Sequence, residues 1–400
     1  MEGISHSLLN LFLVFVGAKI AGEVFERLRQ PAVIGELLAG VIMGPYALGI
    51  VGEDVALQVV STLGVVILMF YVGLETRRSE ILKVGRAGVL VGTLGIILPL
   101  VCGFAFGRAL GRDWAESLFI GTALVATSVG ITARVLSDRG LLSTRLARII
   151  ITAAVVDDVL GLVVLSAVSG VVKGSLDVGR VSLVGLEAVA FVVAIVVVLP
   201  WVVVKSETLL DRLHISNAPF AVAVGSMLLF AAIAESIGLA AIVGAFFAGM
   251  GFAEGPDRWE LQQRTEPLYE WLVPFFFVLM GTRVNIGLFT DAAVLVPGLA
   301  LVGIAVATKV IGCGLAVANE GPRPALAVGV GMVPRGEVGL IVAAMGQSLG
   351  VVSEPVFAMI VMVVAASTLI APPLLPALFR LARATSDVSA GSPVVDPETL

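Results

Sequence analysis

Two adjacent carboxylates, Asp157 and Asp158, stand in the middle of the otherwise apolar or small-residue run from Ile150 to Leu165. An acid at the centre of a membrane helix costs about 2.5–3.5 kcal/mol on insertion scales, and Leu or Val would pack better. The pair therefore reads as a titratable site on a cation or proton pathway; the competing reading is a structural ion pair or a polar helix–helix contact. Lys309, within Val306-Ala307-Thr308-Lys309-Val310-Ile311-Gly312, is too far from the ends of its apolar run to snorkel, so a buried partner is expected. The acid pair can supply it. A lysine beside one carboxylate would hold it ionised and leave a site for which a proton and a cation compete.

Two further stretches could shape such a site. Ala126-Thr127-Ser128-Val129-Gly130-Ile131-Thr132 gathers hydroxyls and a glycine at membrane depth. Gly329-Val330-Gly331-Met332-Val333-Pro334-Arg335-Gly336-Glu337-Val338-Gly339-Leu340 holds a proline and two charges. Proline removes a backbone hydrogen bond and glycine permits unwinding. Both stretches are expected to be broken helices that cross beside Asp157 and Asp158. Gly130, Thr132, Pro334, Arg335 and Glu337 are expected to support the crossing, where half-helix ends present carbonyls and partial charges. Glycine and serine in such runs also serve close helix packing alone.

The elements that must position these groups are membrane spans. Of 400 residues, 58% are hydrophobic and only 14% charged, with a mean hydropathy of +1.07. Soluble domains carry about 25% charged residues, so the chain reads as an all-α polytopic membrane protein. Apolar runs give about 13 spans, near 7–25, 32–50, 56–75, 87–109, 117–137, 149–170, 181–203, 218–236, 238–253, 267–287, 291–317, 325–347 and 355–379. The start lacks a charged n-region and a cleavage site, so no signal peptide is expected. Cys102 and Cys313 lie inside apolar runs and read as packing residues, and no basic patch points to nucleic acid. His6 and His214 support neither a relay nor a zinc site, and Trp114, Trp201, Trp259 and Trp271 fit an interfacial aromatic belt. Lys19, Glu36 and Glu235 read as interfacial or cavity-lining charges; Glu75, Arg77 and Arg283 read as boundary charges. Most connecting-loop Lys and Arg fall on one side, which predicts an outside N-terminus and a cytoplasmic C-terminus.

The chain also echoes itself. Val33-Ile34-Gly35-Glu36-Leu37-Leu38-Ala39-Gly40 matches Ile242-Val243-Gly244-Ala245-Phe246-Phe247-Ala248-Gly249, and Ser128-Val129-Gly130-Ile131 matches Glu337-Val338-Gly339-Leu340. The offset stays near 206–210, and Asp157-Asp158 fall opposite Ser367-Thr368. The two copies enter the membrane from opposite sides, which predicts two inverted five-helix repeats, a signature of alternating-access transporters.

Gln30-Pro31-Ala32-Val33-Ile34-Gly35-Glu36, Val72-Gly73-Leu74-Glu75-Thr76, the stretch from Thr122 to Thr132, Asp157-Asp158 and Pro334-Arg335-Gly336-Glu337-Val338-Gly339-Leu340 together resemble bacterial sodium/proton antiporters of the NapA type, within the monovalent cation:proton antiporter-2 family. The resemblance runs nearly the whole length. It implies an NhaA-like antiporter fold in a homodimer. The dimerisation domain would comprise 1–86 and 218–290, the mobile core 87–170 and 291–380, with 171–217 as linker and 381–400 as a disordered cytoplasmic tail. It implies that Asp158 alternates between cation and proton, that Asp157 bridges Lys309, and that Thr127 and Ser128 lie in the unwound helix beside the ion. It further implies Na+ held by Asp157 and Asp158, and electrogenic exchange of one cation for two protons in the cytoplasmic membrane by an elevator motion. No cofactor is expected beyond the transported Na+ and H+, and the expected partners are lipids, monovalent cations and protons. Alternatives are potassium/proton exchange and sodium-coupled symport of an organic anion. An intramembrane aspartyl protease fits poorly, since adjacent acids on one helix face about 100° apart. A channel is disfavoured by the single charged centre.

Overall fold

The computed structural model describes residues 2–52, 55–172, 178–212, 217–285, 287 and 292–389, and among these it is built of α-helices and short 3-10 turns without strands. The helices are α1 (Glu2–Arg27), α2 (Ala32–Met43), α3 (Val55–Leu74), α4 (Arg78–Ala109), α5 (Trp114–Ala123), α6 (Val129–Asp138), α7 (Arg145–Val172) and α8 (Val178–Arg212). They continue with α9 (Ala218–Ser236), α10 (Ala241–Phe252), α11 (Leu261–Thr282), α12 (Ala292–Ala316), α13 (Pro322–Gly331), α14 (Glu337–Ser348) and α15 (Glu354–Ser389). Among the described residues, eight helices are long and apolar enough to cross a membrane: α1, α3, α4, α7, α8, α9, α12 and α15.

The predicted fifth span is two helices, α5 and α6, and the twelfth is α13 and α14. Proline alone does not explain these breaks, because α15 runs unbroken through Pro372, Pro373 and Pro376. A backbone freed from helix inside a membrane needs other partners. The breaks occur where side chains and the facing segment supply them, as described below. The second span is shorter than the expected 32–50. Pro45 disfavours a helical Gly44, so α2 stops at Met43. With 12 residues each, α2 and α10 extend only about 18 Å, well short of a bilayer core. Helix α15 continues to Ser389, into the stretch expected as tail; residues 390–400 lie outside the described ones.

The helices pack in two groups. Helix α3 lies against α10 and α11, α2 against α1 and α11, and α10 against α9. Separately, α4 packs on α5, α7 and α12, while α15 packs on α12, α13 and α14. Helix α8 touches α7 on one side and α9 and α10 on the other. Within the first group backbones nearly touch. A Cβ on Gly40 would lie 2.0 Å from the Val278 carbonyl oxygen, and one on Gly249 would lie 2.2 Å from that of Phe70. Only glycine allows this approach of α2 to α11 and of α10 to α3. Trp259, expected at an interface belt, is instead buried, its Nε1 donating to Asp211 at 2.9 Å. The loop after α10 folds its ring inward.

Candidate functional site

Nothing in α7 interrupts the helix, so successive residues turn by about 100° and the two acids meet different surroundings. Asp157 is 2% exposed, and Lys309 Nζ of α12 stands 3.3 Å from its Oδ2. Lys309 is fully buried and also donates to Thr127 Oγ1 at 2.7 Å. Two opposite charges and a hydroxyl thus satisfy one another where either charge alone would be costly. Asp158 is half-buried and, with Asp157, lines a cavity of about 580 Å³.

That cavity runs from the acids past Thr122, Ala126, Gln58 and Ser61 to Glu235 and Arg283. The cavity lining includes the start of α3, the end of α9 and the end of α11, which all belong to the face poor in Lys and Arg. Polar and charged groups line a route from that face to the acid pair.

The two breaks meet beside the pair. Ser128 N donates to Pro334 O at 2.7 Å, and Thr132 Oγ1 donates to Gly331 O at 2.7 Å. Arg335, with no exposed surface, donates through Nη2 to Leu124 O (2.8 Å) and Ala305 O (3.1 Å), and through Nη1 to Val333 O (2.8 Å). Leu124 ends α5 and Val333 follows α13, so one guanidinium covers carbonyls left open at both breaks, where the helix dipoles favour a cation. Ser367 Oγ accepts from Arg335 N at 3.2 Å, and Thr368 Oγ1 donates to Arg335 O at 2.7 Å. The positions aligned with Asp157 and Asp158 therefore hold backbone in the second break.

Several sequence expectations find different surroundings. Ser128 is buried with its hydroxyl against Gly336, where a Cβ would lie 2.8 Å from Ser128 Oγ, and it is not among the cavity-lining residues. A Cβ on Gly130 would meet nothing closer than Val65 Cγ2 at 3.5 Å, so the close approach at the crossing belongs to Gly336. The Glu337 side chain lies outside the described ones. Lys19 is exposed and donates to Glu270 O at 3.1 Å. Arg283, read as a boundary charge, lines the cavity, and so does Glu235, for which a cavity-lining place was one of the two expectations.

A second polar cluster escaped the sequence reading. Arg134 of α6 places Nε 3.0 Å from Asp138 Oδ2 and Nη2 3.9 Å from Glu36 Oε1 of α2. Its guanidinium lies 4.6 Å from the ring centroid of Tyr269 of α11, whose hydroxyl donates to Asp138 Oδ1 at 3.1 Å. The available signal was a charge inside an apolar run with an acid four residues on, a spacing that puts both on one helix face.

Comparison with known proteins gives a consistent picture. The family model described as sodium/hydrogen exchanger, transmembrane, matches residues 11–381. The chain is 36% identical over 374 residues to the Na(+)/H(+)-K(+) antiporter GerN of Bacillus cereus, covering 92% of this chain and 95% of that protein. It is 32% identical over 432 residues to the high-affinity Na(+)/H(+) antiporter NhaS3 of Synechocystis, covering 98% and 93%. In fold it is similar to the sodium proton antiporter MjNhaP1 of Methanocaldococcus jannaschii, with a TM-score of 0.69 at 17% identity over 95% of this chain and 99% of that one.

Proposed function

The chain belongs to the sodium/hydrogen exchanger family, a family of multi-pass membrane transporters rather than enzymes, and from that premise we propose that it exchanges cytoplasmic Na+ for external protons. One observation carries the reading: an aqueous-sized cavity reaches Asp158 beside the crossed breaks, while Asp157 behind it is neutralised by Lys309. Asp158 takes Na+ or a proton in turn, because one carboxylate cannot hold both. Broken-helix carbonyls and Thr127 complete the surroundings. Asp158, with either Asp157 or Lys309 as the second group, releases two protons per cycle against one Na+, so exchange moves net charge. No cofactor takes part; the only bound species are the transported Na+ and H+.

The helix packing supports a two-body organisation. We assign α1–α3 and α9–α11 to a dimerisation scaffold, α4–α7 and α12–α15 to a mobile core, and α8 to the link. Thirteen crossings follow if α5 with α6, and α13 with α14, each count as one. The approach of Gly40 to α11 and of Gly249 to α3 recurs at the same offset as the sequence echo, which favours two inverted repeats. The bias of Lys and Arg favours a cytoplasmic C-terminus in the bacterial inner membrane, and the cavity then faces outside. The core carries the acids past the scaffold like an elevator.

A second reading, potassium in place of sodium, is favoured by the potassium in GerN's own description. Reconstitution into vesicles with a pH-sensitive dye decides between them. Sodium is expected to give the largest signal in a series of Na+, Li+ and K+, and Asp158→Asn to give none. Full exchange by Asp158→Asn would remove the site.

A further inference from the structure

The cluster around Arg134 lies on the far side of the acid pair from the cavity, and it joins helices of different groups. Arg134 and Asp138 belong to α6, in the body that carries the acids; Glu36 belongs to α2 and Tyr269 to α11, in the other body. Tyr71 of α3 stacks on Tyr269 with centroids 4.9 Å apart and closes the same region. We propose that Glu36, Arg134, Asp138 and Tyr269 form a latch that shuts the cytoplasmic route while the outer cavity is open, and that this latch must separate for the acids to face the cytoplasm. The proposal rests on the alternating-access reading above.

Three observations support it. The first is position: the only polar side chains bridging α6 to α2 and α11 among the described contacts lie on the face opposite the cavity. The second is burial: Glu36 is 2% and Arg134 7% exposed, so the contact excludes water from that side. The third is incompleteness. Among the described residues, Glu36 Oε2 and Arg134 Nη1 find no hydrogen-bond partner, Arg134 Nε lies near Asp138 without a hydrogen bond, and the pair across the two bodies spans 3.9 Å. The Arg134–Asp138 pair at 3.0 Å stays within α6, and only Tyr269 of α11 reaches it closely from the other group, through its hydroxyl and its ring. A network completed across both bodies would resist separation; a partly completed one parts at modest cost and closes again. Moving α6 away from α2 and α11 would break the long Arg134–Glu36 pair and the contacts that Tyr269 makes with Arg134, Ser137 and Asp138.

The test reads conformation rather than transport. In a background of Cys102→Ala and Cys313→Ala, two single reporters are made separately. Leu162→Cys lies in the outer cavity. Leu68→Cys lies on α3, fully buried outside the cavity lining and against α6 at Gly130. Each is labelled with a membrane-impermeant thiol reagent applied from one side. Glu36→Gln and Arg134→Gln are expected to raise inner labelling at 68 relative to outer labelling at 162 by about fivefold, the lower end of usual coupling between two states. Arg134→Lys, keeping the charge, is expected to fall between them and the parent. Unchanged ratios in both neutral variants would overturn the latch. If Arg134→Gln does not fold, Glu36→Gln carries the test alone, since it leaves the Arg134–Asp138 pair intact. Sodium-dependent proton movement by the parent tests the ion reading separately: a labelling shift without exchange keeps the latch and rejects the cargo, and exchange without a shift does the reverse.

Discussion

Two clusters of buried charge, one around Asp157 and one around Arg134, are built on opposite terms. Around Asp157, every group has its partner within one packed body: Lys309 meets the acid and Thr127, and Arg335 spreads over three carbonyls. Around Arg134, the ion pair within α6 is close, Tyr269 of α11 adds a hydroxyl bond and a ring contact, and what reaches α2 is a 3.9 Å pair with unmet atoms on both sides. A closed network fixes geometry, which a cation site needs; an open one tolerates separation, which a moving interface needs. Under the proposed elevator motion, where a charge sits thus matters less than whether its partners travel with it.

The largest effect tests the first half of that contrast. Asp158→Asn is expected to reduce sodium-dependent proton movement to the level of empty vesicles, whereas Glu36→Gln slows exchange and leaves Na+ binding in place. Isothermal titration with NaCl separates the two, and loss of binding in both would erase the distinction.

Stability sharpens it next. Lys309→Ala leaves Asp157 buried without its counter-charge, an effect of about 3–5 kcal/mol for such pairs. Glu36→Gln removes only one end of a long pair and is expected to cost far less. Thermal unfolding in detergent should rank Lys309→Ala well below Glu36→Gln. Adding Asp157→Asn to Lys309→Ala should recover much of the loss, because the stranded charge goes with it. Arg335→Lys follows. A point-charge ammonium cannot span the carbonyls that the planar guanidinium reaches, and hydrogen bonds to charged groups are worth about 1.5–3 kcal/mol each. Exchange is expected to fall about tenfold, measured as initial dye-quench rate at equal protein.

Much of the central site was legible in the sequence because its cost was local. Two acids or a lysine inside an apolar run contradict their surroundings within a window of some twenty residues, and Pro334 beside Arg335 contradicts a helix within five. The partner was legible too, since Asp157 and Lys309 each lack any local answer. What could not be read was the identity of groups that meet only through the fold. Arg134 has an acid one turn away, so its local pattern looks complete, and nothing in the run reveals that Glu36 and Tyr269 arrive from other helices. Gly336 was hidden among neighbouring glycines, although it faces Ser128 at the crossing while Gly130 has room to spare. The end of α2 was readable from Pro45, yet the apolar residues beyond it extended the expected span.

The smallest effect concerns the cavity mouth, where neither cluster acts directly. Glu235 and Arg283 line the same cavity as the acids and carry opposite charge, so they bias the potential that an entering cation meets. Removing Glu235 leaves Arg283 unopposed and makes the mouth more positive; removing Arg283 does the opposite. Glu235→Gln is therefore expected to weaken apparent Na+ affinity about two- to threefold when the cation is offered from the cavity side, and Arg283→Gln to strengthen it by a similar factor. Both shifts should shrink as salt rises, because exposed charges are screened over about 10 Å at 0.1 M ionic strength. Neither variant should alter affinity for Na+ offered from the latch side, since the cavity does not lead there. Equal shifts from both sides would mean that the mouth charges act on the site through the structure rather than through the water in the cavity. The separation between a rigid site and a moving interface would then have to be redrawn.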